Sequence, residues 1–114
     1  MHGVYRSTKT GRQEFYDSSY ELRRFKALDA SPLVKTWTKD HHLRLPYKYH
    51  HRRHRYVPDI TVEYHDGRKF LEEIKGYVYQ PGKFVMKNAT AKLYCTLKKW
   101  TYRVIWEDGL EKVE

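Results

Sequence analysis

The chain has 114 residues, 39% of them hydrophobic and 16% aromatic, enough to bury one core and too apolar for a disordered tail. Its 23 Lys and Arg stand against 14 Asp and Glu, a net charge of +9, which favours a polyanionic partner, most often nucleic acid, over a merely basic surface. One cysteine, Cys95, excludes a disulfide framework and a four-cysteine zinc site; no run approaches the ~20 apolar residues of a membrane span, and Met1–Arg12 lacks the apolar stretch of a secretory signal. The expectation is a single domain over residues 1–114 in a reducing, cytoplasmic setting.

Residues 1–15 are polar, carry Gly3 and Gly11, and read as irregular. Ser18-x-x-Glu21 has the form of a capping box, and Tyr20, Leu22, Phe25 and Leu28 recur at near-helical spacing. A helix is expected over about Ser18–Asp29, ended by Ser31-Pro32. The pattern then turns extended: Val34, Thr36 and Thr38 alternate with Lys35, Trp37 and Lys39. Leu43, Leu45 and Tyr47 suggest a second strand, where Pro46 calls for an edge or a bulge. A strand over Tyr56–Tyr64 turns at Asp66-Gly67, a hairpin signal, into another from Lys69 to Tyr79, closed by Pro81-Gly82. From Lys83 to Trp100, Phe84, Met86, Ala89, Leu93 and Leu97 fit a helix with Lys83, Lys87, Lys92, Lys98 and Lys99 outside. Thr101–Trp106 reads as a last strand. This order implies an α/β or α+β sandwich with a mixed sheet, its middle strands antiparallel and the second helix crossing to a parallel last strand.

A few carboxylates sit where a strand normally buries apolar groups. Asp59 follows Pro58 within one strand, while Glu73 and Lys75, two apart in the next, share a face. Pairing about a centre between Asp66 and Gly67 sets Asp59 opposite Ile74, within a residue of both. Two carboxylates and an ammonium converging on a sheet face are costly unless paired. A divalent cation meets that need, since Mg²⁺ takes oxygen donors and often only one or two carboxylates beside water and phosphate. It activates water and neutralises phosphodiester charge, with Lys75 placed to orient or deprotonate that water or to stabilise the transition state. The same residues on a solvated face form an Asp–Lys–Glu salt-bridge set. Glu72 points to the opposite face and reads as solvated or helix-facing.

Pro58-Asp59, thirteen residues, and Glu73-Ile74-Lys75 resemble the PD-(D/E)XK motif of restriction-endonuclease-like nucleases. Their core of helix, antiparallel meander, helix and strand is similar to the order read here. The chain looks closest to the TnsA-type endonuclease N-terminal domain. That likeness rests on Ser7-Thr8-Lys9-Thr10-Gly11-Arg12, on Tyr16-Asp17-Ser18-Ser19-Tyr20-Glu21 with its Tyr-x-Ser segment before a helical Glu, on Tyr56-x-Pro58-Asp59, and on Trp100-Thr101-Tyr102. The resemblance implies a restriction-endonuclease-like α/β fold with a mixed central sheet, and Glu21, Asp59, Glu73 and Lys75 as catalytic residues. It further implies Mg²⁺, with Mn²⁺ as substitute, held by Asp59, Glu73 and the Ile74 backbone carbonyl, with Glu21 as a structural or second-metal carboxylate. DNA is then the substrate. A second copy or a recombination or phage protein is the partner, and a bacterial or phage-infected cell the setting. Such proteins usually carry a further, partner-contacting C-terminal domain, and none is expected within these 114 residues.

Tyr47–Tyr56 places Lys48, Arg52, Arg53 and Arg55 among three imidazoles and three tyrosines. Such residues neutralise phosphates and stack on bases or sugars, and they read here as a DNA-contacting turn between strands or as a solvated hairpin tip. His50 and His54 have a zinc-compatible spacing but no cysteine pair to complete a site. Cys95, between Leu93 and Leu97, reads as core rather than as a nucleophile. The function expected is a Mg²⁺-dependent DNA endonuclease, a junction resolvase being one form of it. The alternative is a non-catalytic nucleic-acid-binding module on the same fold.

Overall fold

In the computed structural model, which describes residues 1–114, the chain runs β1 (Gly3–Arg6), β2 (Gln13–Tyr16), α1 (Ser19–Ala30), β3 (Val34–Thr38), β4 (Leu45–Tyr49), β5 (Arg52–Tyr56), β6 (Ile60–Tyr64), β7 (Lys69–Lys75), α2 (Pro81–Lys98) and β8 (Thr101–Trp106). The central sheet has the order β3-β6-β7-β8. β3, β6 and β7 form an antiparallel meander, and α2 carries the chain over to β8, parallel to β7. No helix is long and apolar enough to cross a membrane.

Each sheet face has its own core. Phe25 and Leu28 of α1 pack on Val34, Trp37, Ile60, Val62, Tyr64 and Phe70. On the other face Leu71 packs with Ala91 and Cys95 of α2 and with Leu45, Tyr47 and Tyr56. β7 serves both, because alternate side chains leave a strand on opposite sides.

Several local expectations change; the strand expected over Tyr56–Tyr64 divides, Tyr56 ending β5 and Ile60 opening β6, with Asp59 between them. Residues 1–15 are not irregular: β1 and β2 pair as a hairpin, Val4 opposite Phe15. Asp29 pins that hairpin, accepting hydrogen bonds from Tyr5 Oη (2.6 Å), Ser7 Oγ (2.6 Å), the Thr8 N–H (2.8 Å) and Trp37 Nε1 (2.8 Å). Burial opposes the Asp29 charge, but the bonds from Ser7, Tyr5 and Trp37 prevail and hold its carboxyl below the usual range. The β6–β7 turn centres on Asp66 itself, with the Tyr64 N–H bonded to the Arg68 carbonyl (2.9 Å) and Gly67 at φ 92°. That three-residue loop shifts the register by one from the expected pairing, so Ile60 faces Glu72 and Asp59 comes beside Glu73. β7 ends at Lys75, and Pro81 opens α2 at its first turn, where a missing N–H is harmless. Finally, α2 turns Leu93 and Leu97 outward, 63% and 76% exposed, and rests on the small Ala91 and Cys95. Cys95 is buried as expected, and burial pushes its thiol up to about 11.

Candidate active site

Asp59 stands just before β6, and Glu73 and Lys75 at the end of β7; all three open into a cleft of about 480 Å³ that Glu21, Tyr20 and Ile74 also line. The β6–β7 ladder continues one step past Ile60, the Asp59 N–H donating to the Glu72 carbonyl (3.1 Å). Asp59 Oδ2 in turn accepts from the Ile74 N–H at 2.7 Å. Glu73 is buried, with Oε2 3.5 Å from Lys75 Nζ and Oε1 without any hydrogen-bond partner. Burial, then the Glu73 charge, push the Asp59 carboxyl well above the usual carboxylate range, against the pull of the Ile74 N–H.

A buried carboxylate oxygen without a donor, beside a carboxyl held against ionisation, is costly in a protein alone and suits a cation. No three His, Cys, Asp or Glu side chains converge as a complete metal cage. Mg²⁺ and similar hard ions do not need one, since water and substrate phosphate complete their shell. The donor set of Asp59 and Glu73 fits such an ion.

Glu21 shares the cleft but is already engaged. Its N–H donates to Ser18 Oγ (3.1 Å), as the capping box implies. Its Oε1 accepts from the Asp17 N–H (2.7 Å) and from Lys39 Nζ (2.8 Å), and Lys39 also reaches Asp17 Oδ2 (2.8 Å). Glu72 is helix-facing, fully buried and not solvated: Arg24 of α1 grips it with Nε–Oε1 at 2.9 Å and Nη2–Oε2 at 2.7 Å, and Arg103 of β8 adds Nε–Oε2 at 2.9 Å. The structure thus separates the adjacent glutamates, Glu73 into the cleft and Glu72 into an ion-paired core.

Sequence reasoning missed two supports. His41 Nδ1 accepts from the Leu43 N–H (3.0 Å), so its proton lies on Nε2, which donates to the Pro58 carbonyl at 2.6 Å and fixes the residue before Asp59. Burial pulls the His41 pKa below its ordinary value, keeping the ring neutral. Behind Glu73, Tyr56 Oη meets Tyr102 Oη (3.0 Å), which donates to Asn88 Oδ1 (2.7 Å). Burial, then the Glu73 charge, push the Tyr56 phenol far up, so this wall stays uncharged. Tyr56-x-Pro58-Asp59 was the signal for one end of it; nothing in the spacing shows that His41 meets Pro58.

The basic stretch is a β-hairpin whose turn is confined to His50 and His51, the rest of it being paired strand. β4 and β5 form a two-stranded ribbon apart from the main sheet, pairing Pro46 with Arg55, Lys48 with Arg53 and Tyr49 with Arg52. Leu45, Tyr47 and Tyr56 face the core, so Lys48, Arg53 and Arg55 share the outer face, and Arg52 belongs to the other set at the tip. His50 and His51 make the turn with φ of 51° and 61°. None of Lys48, Arg52, Arg53 and Arg55 is paired with a carboxylate.

An antiparallel meander with a helical crossover to a parallel fourth strand, and acidic residues at the meander's mouth, define a restriction-endonuclease-like fold. The model of the TnsA-like endonuclease N-terminal family matches residues 31–107, and the chain belongs to that family. The match spans Asp59, Glu73 and Lys75 and begins after Glu21. No curated protein matches the chain.

Proposed function

We propose that the chain is a metal-dependent DNA endonuclease that hydrolyses phosphodiester bonds, with Asp59 and Glu73 holding Mg²⁺ or Mn²⁺. The observation that carries this reading is the donor-less, buried Glu73 Oε1 beside Asp59 in an open cleft. Family membership and a net charge of +9 support DNA as the polyanion. A bound divalent cation supplies Lewis-acid stabilisation of phosphate charge and a nucleophilic water at neutral pH.

The chain's own groups do the rest. Lys75 Nζ is held by Glu73 at 3.5 Å and reaches the cleft, so it donates a hydrogen bond to the attacking water or to charge developing on the phosphate. The Ile74 N–H and His41, through Pro58, fix Asp59. The Ile74 carbonyl, next to Glu73 in sequence, is assigned as a third donor. Glu21 adds negative charge to the cleft, and the outer face of the β4–β5 ribbon holds the DNA backbone.

Supercoiled plasmid incubated with Mg²⁺ or Mn²⁺ tests the proposal, with Asp59→Ala and Lys75→Ala as controls. Nicking or linearisation by the wild type is expected, with Asp59→Ala at least about a hundredfold slower (~2.7 kcal/mol) and DNA binding kept. Binding without cleavage in either metal would reduce the chain to a DNA-binding module.

A further inference from the structure

After Lys75 the chain leaves β7 and crosses to α2 through residues 76–80. Two residues there stand out in water: Tyr77 is 64% and Tyr79 85% exposed, their rings edge to face with centroids 4.4 Å apart. Neither belongs to a core cluster. Both line the carboxylate cleft, and Tyr79, with Lys75, also borders a second cavity of about 180 Å³ walled by Lys83, Phe84 and Lys87. Lys83 and Lys87 have no carboxylate partner. Where the loop starts the chain packs closely, the Tyr20 ring lying so near Gly76 that a Cβ there runs into it. Carboxylates, aromatic faces and free cations therefore follow one another along a continuous surface.

A base inside a duplex has both faces covered by its neighbours and shows proteins only its edges in the grooves. Exposed aromatic faces serve a base that has left the stack, as in single strands and flipped nucleotides. Unpaired lysines beside them suit the flanking phosphates. We propose that Tyr77 and Tyr79 form a stacking platform for an unpaired nucleotide next to the scissile phosphate, so that the preferred substrate is DNA with unpaired bases beside the cut. This rests on the nuclease reading of the Asp59–Glu73–Lys75 cleft and names its substrate class.

The test uses the full chain and two DNAs of one sequence, a continuous duplex and the same duplex with a short single-stranded gap carrying 2-aminopurine. With Mg²⁺ or Mn²⁺ the gapped DNA is cleaved at least about tenfold faster, and binding without metal quenches the 2-aminopurine. Tyr77→Ala/Tyr79→Ala brings the ratio of the two rates toward one and abolishes the quenching, whereas Tyr79→Trp keeps both. Both positions are exposed, so these variants melt like the wild type. Equal rates on the two DNAs, or a rate ratio and quenching that survive the double alanine, overturn the platform while the nuclease stands. Quenching that depends on the two tyrosines, with no cleavage of either DNA, removes the nuclease reading and keeps the platform.

Discussion

Glu21 holds two positions at once, at a helix start and at a cleft. The oxygen that accepts the Asp17 N–H also meets Lys39. A glutamine keeps an amide oxygen for the N–H but brings no charge, and Lys39 retains Asp17 as its counter-ion. Glu21→Gln is therefore expected to cost no more than ~1 kcal/mol in stability, within a few degrees of melting temperature, yet to lose most metal-dependent cleavage. Full activity in that variant would confine the site to Asp59, Glu73 and Lys75. Glu72 differs from its neighbour in every respect that counts. It is the counter-ion of both Arg24 and Arg103, so Glu72→Gln leaves two guanidiniums, one of them fully buried, against a neutral amide. A loss of ~3 kcal/mol or more is expected, read as a fall in denaturation midpoint. A near-wild-type midpoint would show that water reaches Arg24.

At the scale of elements, the β4–β5 ribbon divides its cations between two faces. Alanine at Lys48, Arg53 or Arg55 is expected to weaken DNA binding and to lower the salt slope by ~0.9 per lost phosphate contact. Arg52→Ala, on the other face beside Tyr49, is expected to change the slope less. Equal slopes for all four variants would mean the ribbon meets DNA by its tip and not its face; binding by titration at several salt concentrations decides. The elements also show what could be read from sequence. α1 was legible because a cap, an apolar stripe and a proline agree on one helix, and the β6–β7 hairpin because Asp66-Gly67 allows few other paths. That hairpin brings Asp59 near Glu73 under either register, which is why the acidic group could be found although the turn was placed half a residue off. The β1–β2 hairpin was not legible: its four-residue strands are too short to show a period, Val4 and Phe15 face water, and the carboxylate that holds Tyr5, Ser7 and Thr8 comes from Asp29, far along the chain on α1. Nor was the inner face of α2, where small residues at Ala91 and Cys95 allow close packing while larger Leu93 and Leu97 remain outside. Glu21's tie to Lys39 depends on where β3 ends in space, which spacing along the chain does not determine.

The whole molecule sets a largely buried carboxylate pair inside a surface of net charge +9, and a cation held there, as proposed, would couple folding, metal and pH. The Asp59 carboxyl has a folded pKa raised by burial and by Glu73. Its protonated form is therefore favoured on folding, a contribution fully present below the ordinary Asp range of about 3.9 and lost as pH rises through the raised folded value. In chelator, the wild type is expected to lose stability over that window, and Asp59→Asn, which keeps a neutral side chain, to lose less. A metal requires the ionised carboxylate, so stabilisation by Mg²⁺ or Mn²⁺ grows as pH rises. A hundredfold excess over Kd contributes ~2.7 kcal/mol, and at roughly 4–8 °C per kcal/mol the shift is easily measured. Thermal melts at mildly acid, neutral and mildly alkaline pH, with and without metal, check both signs in one experiment. The metal-induced shift should increase with pH in the wild type and be largely absent in Asp59→Asn. A shift that is independent of pH, or equal in the two proteins, would place the cation elsewhere than on Asp59.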